Sequence, residues 1–150
     1  MSPVMNCSNI PIEVHEALNP VRIHRFELIA DTGGAGRWRG GCGLRKDIEL
    51  LNSSAVLSHL GDRHRFAPYG IFGGGDGALA QSILNPDGDS EPIHSKEMRG
   101  IKQGDILSFR LSGAGGYGAP HERDRQAIAE DIADGYVSEE AARKHYGWEG

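Results

Sequence analysis

The chain has 150 residues, enough for one domain with a modest core, and a formal net charge of −5 at pH 7. That acidic balance argues against a nucleic-acid surface, which needs clustered cations to neutralise phosphates, and no apolar run approaches the roughly 18 residues of a membrane-spanning helix. Glycine is the unusual number: 22 residues, about twice the ordinary share.

The N-terminal stretch MSPVMNCSNIPIEV has no basic segment leading into an apolar one, so no secretory signal is read and a cytoplasmic chain is expected. Cys7 and Cys42 lie in different segments without CxxC spacing, which predicts free thiols and neither a disulfide nor a metal role. Residues 1–20 are expected to be an irregular lead-in, because Pro3, Pro11 and Pro20 discourage a long helix.

A β-rich domain is expected over 21–120. VRIHRFELIA (21–30) reads as a strand with a phase change: Val21 and Ile23 share one face, Phe26 and Leu28 the other, so a bulge belongs near His24–Arg25. LRKDIELL (44–51) alternates more cleanly, with Leu44, Ile48 and Leu50 opposite Arg45, Asp47 and Glu49. AVLSHL (55–60) and DILSFRLS (105–112) are further strands. SILNPDGDSEPI (82–93) reads as a hairpin around Asn85-Pro86-Asp87-Gly88. Over 121–150 the period changes. Asp124 is an N-cap for a helix carrying Ile128 and Ile132 on one face, and Ser138 caps a second, EEAARKHY, which Gly147 can end. The expected fold class is therefore α+β, mainly β: a twisted antiparallel body with glycine-rich loops and two short C-terminal helices packed on it.

The glycines cluster at 31–43, 69–77 and 112–118, between strand-like segments and without collagen periodicity. They read as tight loops needing positive φ or close backbone approach, and Gly33, Gly34, Gly36, Gly40 and Gly41 are expected to include positive-φ positions. Gly113–Gly118 formally matches GxGxxG, but Ala119-Pro120-His121 follows where a dinucleotide fingerprint needs a helix N-terminus. No GxxxxGK[ST] occurs.

His59, Asp62 and His64 have the chemistry of metal ligands. On a strand, however, His59 would face away from the other two, and Arg63 and Arg65 crowd the segment. No metal ligands are therefore assigned, and weak or no stoichiometric binding of Mn²⁺ or Zn²⁺ is expected. Arg37 and Arg39 flank Trp38 in the first glycine loop, where two guanidiniums can hold a carboxylate or phosphate, or can bond loop carbonyls and pair with Asp31. The acidic helix pair (Glu130, Asp131, Asp134, Glu139, Glu140) makes a poor DNA reader. No catalytic constellation is present: there is no GxSxG elbow, and neither cysteine has an evident basic partner.

Read with their neighbours, the glycine clusters carry a resemblance. Asn9-x-Pro11-Ile12-Glu13-x-x-Glu16 is followed by Pro20, and Asp31-Thr-Gly-Gly-Ala-Gly-Arg-Trp-Arg-Gly-Gly41 comes next. Asp62-Arg63 with Gly70-x-x-Gly73-Gly74, Ser95-Lys96, Gly104-Asp105 and Gly113-x-Gly-Gly-Tyr-Gly118-x-Pro120 follow in order. Glu122-Arg123-Asp124 and Asp134-Gly-Tyr-Val-Ser138-x-Glu140-Ala-Ala-Arg143 close the series. From about Asn9 to Gly147 the chain resembles the C-terminal portion of the B-type subunit of the hydantoinase B/oxoprolinase family, which includes N-methylhydantoinases, 5-oxoprolinases and acetone and acetophenone carboxylases.

The resemblance implies part of an ATP-dependent cyclic-amide hydrolase. In such a system an A-type subunit uses ATP to phosphorylate the amide oxygen, making a leaving group of it, and the B-type part completes hydrolysis or, in the carboxylases, carboxylation. ATP and a divalent metal are expected in the complete enzyme and none bound by this chain, because the metal chemistry is expected in the B-type portion preceding Asn9. The implied partners are the A-type subunit and that upstream B-type segment, in an oligomeric assembly, with this chain inactive alone. At His64 the family more often carries another basic or polar residue, so no ligand role transfers there. Arg37, Arg39, Arg63 and Lys96 are the expected contacts to an anionic substrate group or phosphorylated intermediate. The alternatives are a non-catalytic docking domain and a piece of a carboxylase.

Overall fold

The computed structural model describes residues 9–150; Cys7, Pro3 and the rest of 1–8 lie outside the described residues. The lead-in is not irregular throughout. Ile12–Leu18 form a short helix, α1, whose N-cap is Pro11. Pro11 sits where its missing N–H is not needed and Pro20 lies beyond the end, so the prolines bound the helix without entering it. Glu16 Oε1 accepts the backbone N–H of Ile23 at 2.7 Å and ties α1 to the first strand.

Seven strands follow: β1 (Val21–Ile29), β2 (Gly43–Leu50), β3 (Ser54–Leu60), β4 (Gln81–Leu84), β5 (Glu91–Pro92), β6 (Lys96–Lys102) and β7 (Ile106–Arg110). They build an antiparallel five-stranded sheet in the order β1-β2-β7-β4-β5 and a two-stranded ribbon, β3-β6. The register of β1 shifts between Ile23 and Arg25, at the expected bulge. Its consequence is specific. Val21 and Ile23 pair with Leu50 and Ile48, while Phe26 and Leu28 pair with Lys46 and Leu44. The extra residue therefore brings these four apolar side chains of β1 to the face of β2 that carries Leu44, Ile48 and Leu50. The ribbon packs on part of this face, leaving Phe26 and Leu28 exposed, and Leu50, Leu84, Ile93, Ile101 and Leu107 form the buried core with Ala55, Leu57 and Phe109 packed around it.

The pattern of β6, KEMRGIK, does not read as a strand because Glu97 and Arg99 occupy the inward positions beside Ile101. They pair with each other, and Arg99 also reaches Glu91 at 3.0 Å, so charges stand where alternation would place apolar residues. On the other face of the large sheet Asp47 is 2% exposed. Arg45 grips its carboxylate from Nε at 3.0 Å and Nη2 at 2.6 Å.

After a 3₁₀ turn at Pro120–Glu122 come α2 (Arg125–Ala133) and α3 (Glu139–Tyr146). Asp124 accepts from the N–H groups of Gln126 and Ala127, Ser138 from that of Ala141, and Gly147 ends α3 at φ 61°. These are the expected caps. Ile128, Val137, Ala142 and Tyr146 form a second core, with Ala35 of the first glycine loop packed against it. The helical pair is thus seated on the glycine loops.

Candidate functional site

The three glycine clusters form one layer. Gly34 N–H donates to Ala114 O at 2.8 Å, Gly75 N–H to Ala35 O at 2.7 Å and Gly116 N–H to Gly75 O at 2.9 Å. Trp38 and Tyr117 exchange both backbone bonds at 2.9 Å, and Ile71 is bridged to Tyr117 on the other side. Backbone lies directly on backbone. A β-carbon on Gly33, Gly34, Gly40, Gly74, Gly113, Gly115 or Gly116 would fall inside a carbonyl of a neighbouring segment.

This corrects the expectation of positive φ in the first loop. None of Gly33, Gly34, Gly36, Gly40 and Gly41 has it; the strained residue there is Asp31, at φ 59°. Close approach is the reason for glycine at four of the five, and Gly41 has open space around it. Gly113–Gly118 runs within the same layer and is followed by a 3₁₀ turn, with the next α-helix beginning only at Arg125, so its GxGxxG spacing lacks the helix N-terminus of a dinucleotide fingerprint.

The layer is fastened to the helices by charge. Arg39 Nε and Nη2 donate to the two oxygens of Asp131 at 3.1 Å each, and Nη1 donates to Gly40 O at 2.7 Å. Arg123 reaches Asp131 at 2.7 Å and the carbonyl of Arg37 at 3.2 Å. Burial opposes the charge on Arg39, and the Asp131 carboxylate more than offsets it, leaving the guanidinium above its ordinary pKa. In the sequence Asp131 reads only as part of the acidic helix surface. Nothing in sequence spacing pairs it with a loop residue 92 positions away.

Arg37 points elsewhere. It is more than half exposed, stands 3.9 Å from Glu122, and lines a shallow hollow with Trp38, Glu122 and Arg123. Trp38 is 64% exposed, and the rings of Phe72 and Tyr117 meet at a tilt of 56° beside the layer with centroids 5.1 Å apart.

A second, larger hollow, of about 460 Å³, lies between the loop that follows β3 and the β4–β5 hairpin with the 93–95 turn after it. His64, Arg65, Gln81, Ser82, His94 and Ser95 contribute to its walls. The geometry of its inner edge departs from the strand-face argument. β3 ends at Leu60, the chain reverses through Arg63 at φ 64°, and the His64 ring returns to 5.4 Å from that of His59. The two imidazoles therefore converge, while Asp62 is exposed. Ser82 Oγ lies 3.1 Å from His59 Nε2. Burial, then the neighbouring His64, lower the pKa of His59 against an opposing pull from Glu97.

Arg63 and Lys96 belong to this region. Arg63 O accepts from Ala80 N–H at 3.0 Å, and Lys96 pairs with Leu60 at the ribbon's end; both residues are exposed. The four expected anion contacts thus divide into Arg37 and Arg39 at the glycine layer and Arg63 and Lys96 near the second hollow. Arg39 is committed to Asp131 and Gly40.

Comparison with known proteins agrees with this architecture. The model of the family described as hydantoinase B/oxoprolinase matches residues 1–120. An uncharacterized protein of Methanocaldococcus jannaschii is 38% identical over 92% of this chain and 24% of its own length. The B-type subunit of a putative D-/L-hydantoinase from a Pseudomonas strain is 30% identical over 95% of this chain and 24% of its own. The crystal structure of the ATP-dependent caprolactamase from Pseudomonas jessenii superposes with a TM-score of 0.77 at 29% identity, over 91% of this chain and 24% of that one. The chain spans about a quarter of the length of these relatives. It belongs to the hydantoinase B/oxoprolinase family.

Proposed function

We propose that, as a member of this family, the chain supplies the C-terminal part of an ATP-dependent cyclic-amide hydrolase of the hydantoinase B/5-oxoprolinase type. The observation that supports it most is the likeness to the ATP-dependent caprolactamase over 91% of the chain. The working enzyme joins this module to an upstream B-type segment and an A-type subunit, which bring the metal ligands and the ATP chemistry, and it acts in the cytoplasm. Arg37, Arg63 and Lys96, whose side chains are exposed, remain the contacts offered to an anionic substrate group. Arg39 serves the fold. No helix among the described residues is long and apolar enough to cross a membrane.

A second reading has its own support. Trp38, Phe72 and Tyr117 are exposed aromatic side chains on a backbone layer held by many hydrogen bonds, the composition of a protein-binding surface. On that reading the module docks the assembly together and touches no substrate.

One reconstitution separates them. The chain, the upstream B-type segment and the A-type subunit are combined, and ATP-dependent opening of 5-oxoproline, hydantoin and caprolactam is followed. Turnover that needs all three and falls in Arg37→Ala, with the complex intact, supports the hydrolase reading. A complex that needs Trp38 but turns over unchanged with Arg37, Arg63 and Lys96 all replaced by Ala supports docking. Metal-dependent turnover by the isolated chain would overturn both.

A further inference from the structure

His59 and His64 stand on either side of a chain reversal, and three observations set them together. Their rings meet almost edge to face, 69° between planes. Both Nε2 atoms reach the space left by the absent side chain of Gly61, where a β-carbon would lie 2.6 Å from Nε2 of His64 and 2.7 Å from Nε2 of His59. Ser82 Oγ, 3.1 Å from the same His59 nitrogen, adds an oxygen donor, and the hollow lined by His64 and Ser82 connects the cluster to solvent.

We propose that His59 and His64 form a two-imidazole site for a late first-row divalent cation of the nickel, copper or zinc class. Ser82 Oγ and water from the hollow complete the coordination sphere. Imidazole nitrogen selects these ions over magnesium, calcium and manganese, which prefer oxygen donors. Metal–nitrogen bonds are about 2.0–2.1 Å, so the two rings must turn their nitrogens onto a common ion that stands clear of the Gly61 α-carbon. Both rings are only half-buried, and rotation of their side chains supplies that movement. Glu97, opposite His59 on β6, favours a cation although Arg99 pairs with it; Arg65, on the wall of the same hollow, opposes it.

With two protein nitrogens the binding is reversible. It clips the end of β3 to the loop at 61–66. The site is independent of the hydrolase reading, because both imidazoles and the serine lie in this chain.

Calorimetric titration of Ni²⁺ and Zn²⁺ tests it, using the full chain with Cys7 and Cys42 replaced by Ser so that thiols do not compete. One equivalent is expected to bind, at least tenfold more weakly in His64→Ala and in His59→Ala, unchanged in His94→Ala, with no heat from Mg²⁺. Should His59→Ala fail to fold, Gly61→Ala, which fills the space between the nitrogens, is expected to give the same loss in a folded chain. Cu²⁺-loaded protein should give an electron paramagnetic resonance spectrum with two nitrogen couplings, reduced to one in His64→Ala. No saturable binding up to millimolar metal, or binding that survives His64→Ala, or a single stoichiometric site abolished by His94→Ala, would overturn the proposal.

Discussion

Arg39 and Asp131 join the first glycine loop to helix α2 through two parallel N–H···O bonds of 3.1 Å, with the arginine side chain 16% and the aspartate side chain 10% exposed. A lysine keeps the charge but offers a single ammonium where the fork spans both oxygens. Arg39→Lys is therefore expected to lower stability by on the order of 2 kcal/mol. Arg37→Lys, exposed and 3.9 Å from Glu122, should change it by less than about 0.5 kcal/mol. Urea denaturation of the two variants checks the contrast, and equal losses would refute it.

The glycine layer makes a prediction that turns on position. A β-carbon on Gly40 would strike the carbonyl of Ala114, and one on Gly113 that of Thr32, both backbone atoms that cannot swing aside. Either alanine variant should lose about 3 kcal/mol or fail to fold, as overpacking against fixed backbone does. Gly41→Ala, with nothing within 4 Å, should melt like the parent. A destabilised Gly41→Ala beside an unaffected Gly40→Ala would sink the close-approach account.

Acid stability follows from two carboxylates. Burial alone would raise the pKa of Asp47, but hydrogen bonds from Arg45 and Ser108 and the nearby charge of Arg25 outweigh it and hold the carboxyl below its ordinary value. Asp105 is likewise held down against burial, by the N–H of Lys102 and the Asn85 amide. Because the folded-state values are depressed, this stability is complete above the unfolded carboxyl pKa of about 3.9. It is lost as pH falls through the folded values. Melting temperature should hold down to about pH 5 and fall steeply below pH 4. Asp47→Asn should flatten that acid limb and cost on the order of 3 kcal/mol at neutral pH by leaving Arg45 without its partner. An unchanged acid limb in Asp47→Asn would assign it to other groups.

Helices α2 and α3 hold to the body through a small core in which Ile128 is 2% exposed. Ile128→Ala should destabilise by about 3 kcal/mol, and Ser138→Ala, which removes the cap bond to Ala141 N–H, by about 1 kcal/mol. Hydrogen exchange should then show the amides of α3 opening first in Ser138→Ala, whereas uniform loss of protection across the chain would contradict a local cap.

Much of this protein was determined by sequence acting over short range. The caps Asp124 and Ser138 and the terminator Gly147 specify the two C-terminal helices because each bonds or bends the backbone within four residues of itself. The turn at Asn85–Gly88 and the phase change at His24 are equally local, and the ordered glycine clusters mark the family. Tertiary structure decided the rest. Which glycines need to be glycine depends on the carbonyl that a neighbouring segment brings against them, and Gly40 and Gly41 are adjacent yet opposite in this respect. The strand β6 is hidden because its inward charges are paired only after folding. Strand alternation separates His59 from His64; a reversal through a non-glycine residue at positive φ unites them. Arg39 and Asp131 carry no sign of each other in sequence, since a salt bridge between residues so far apart exists only once the loop and helix have been packed together.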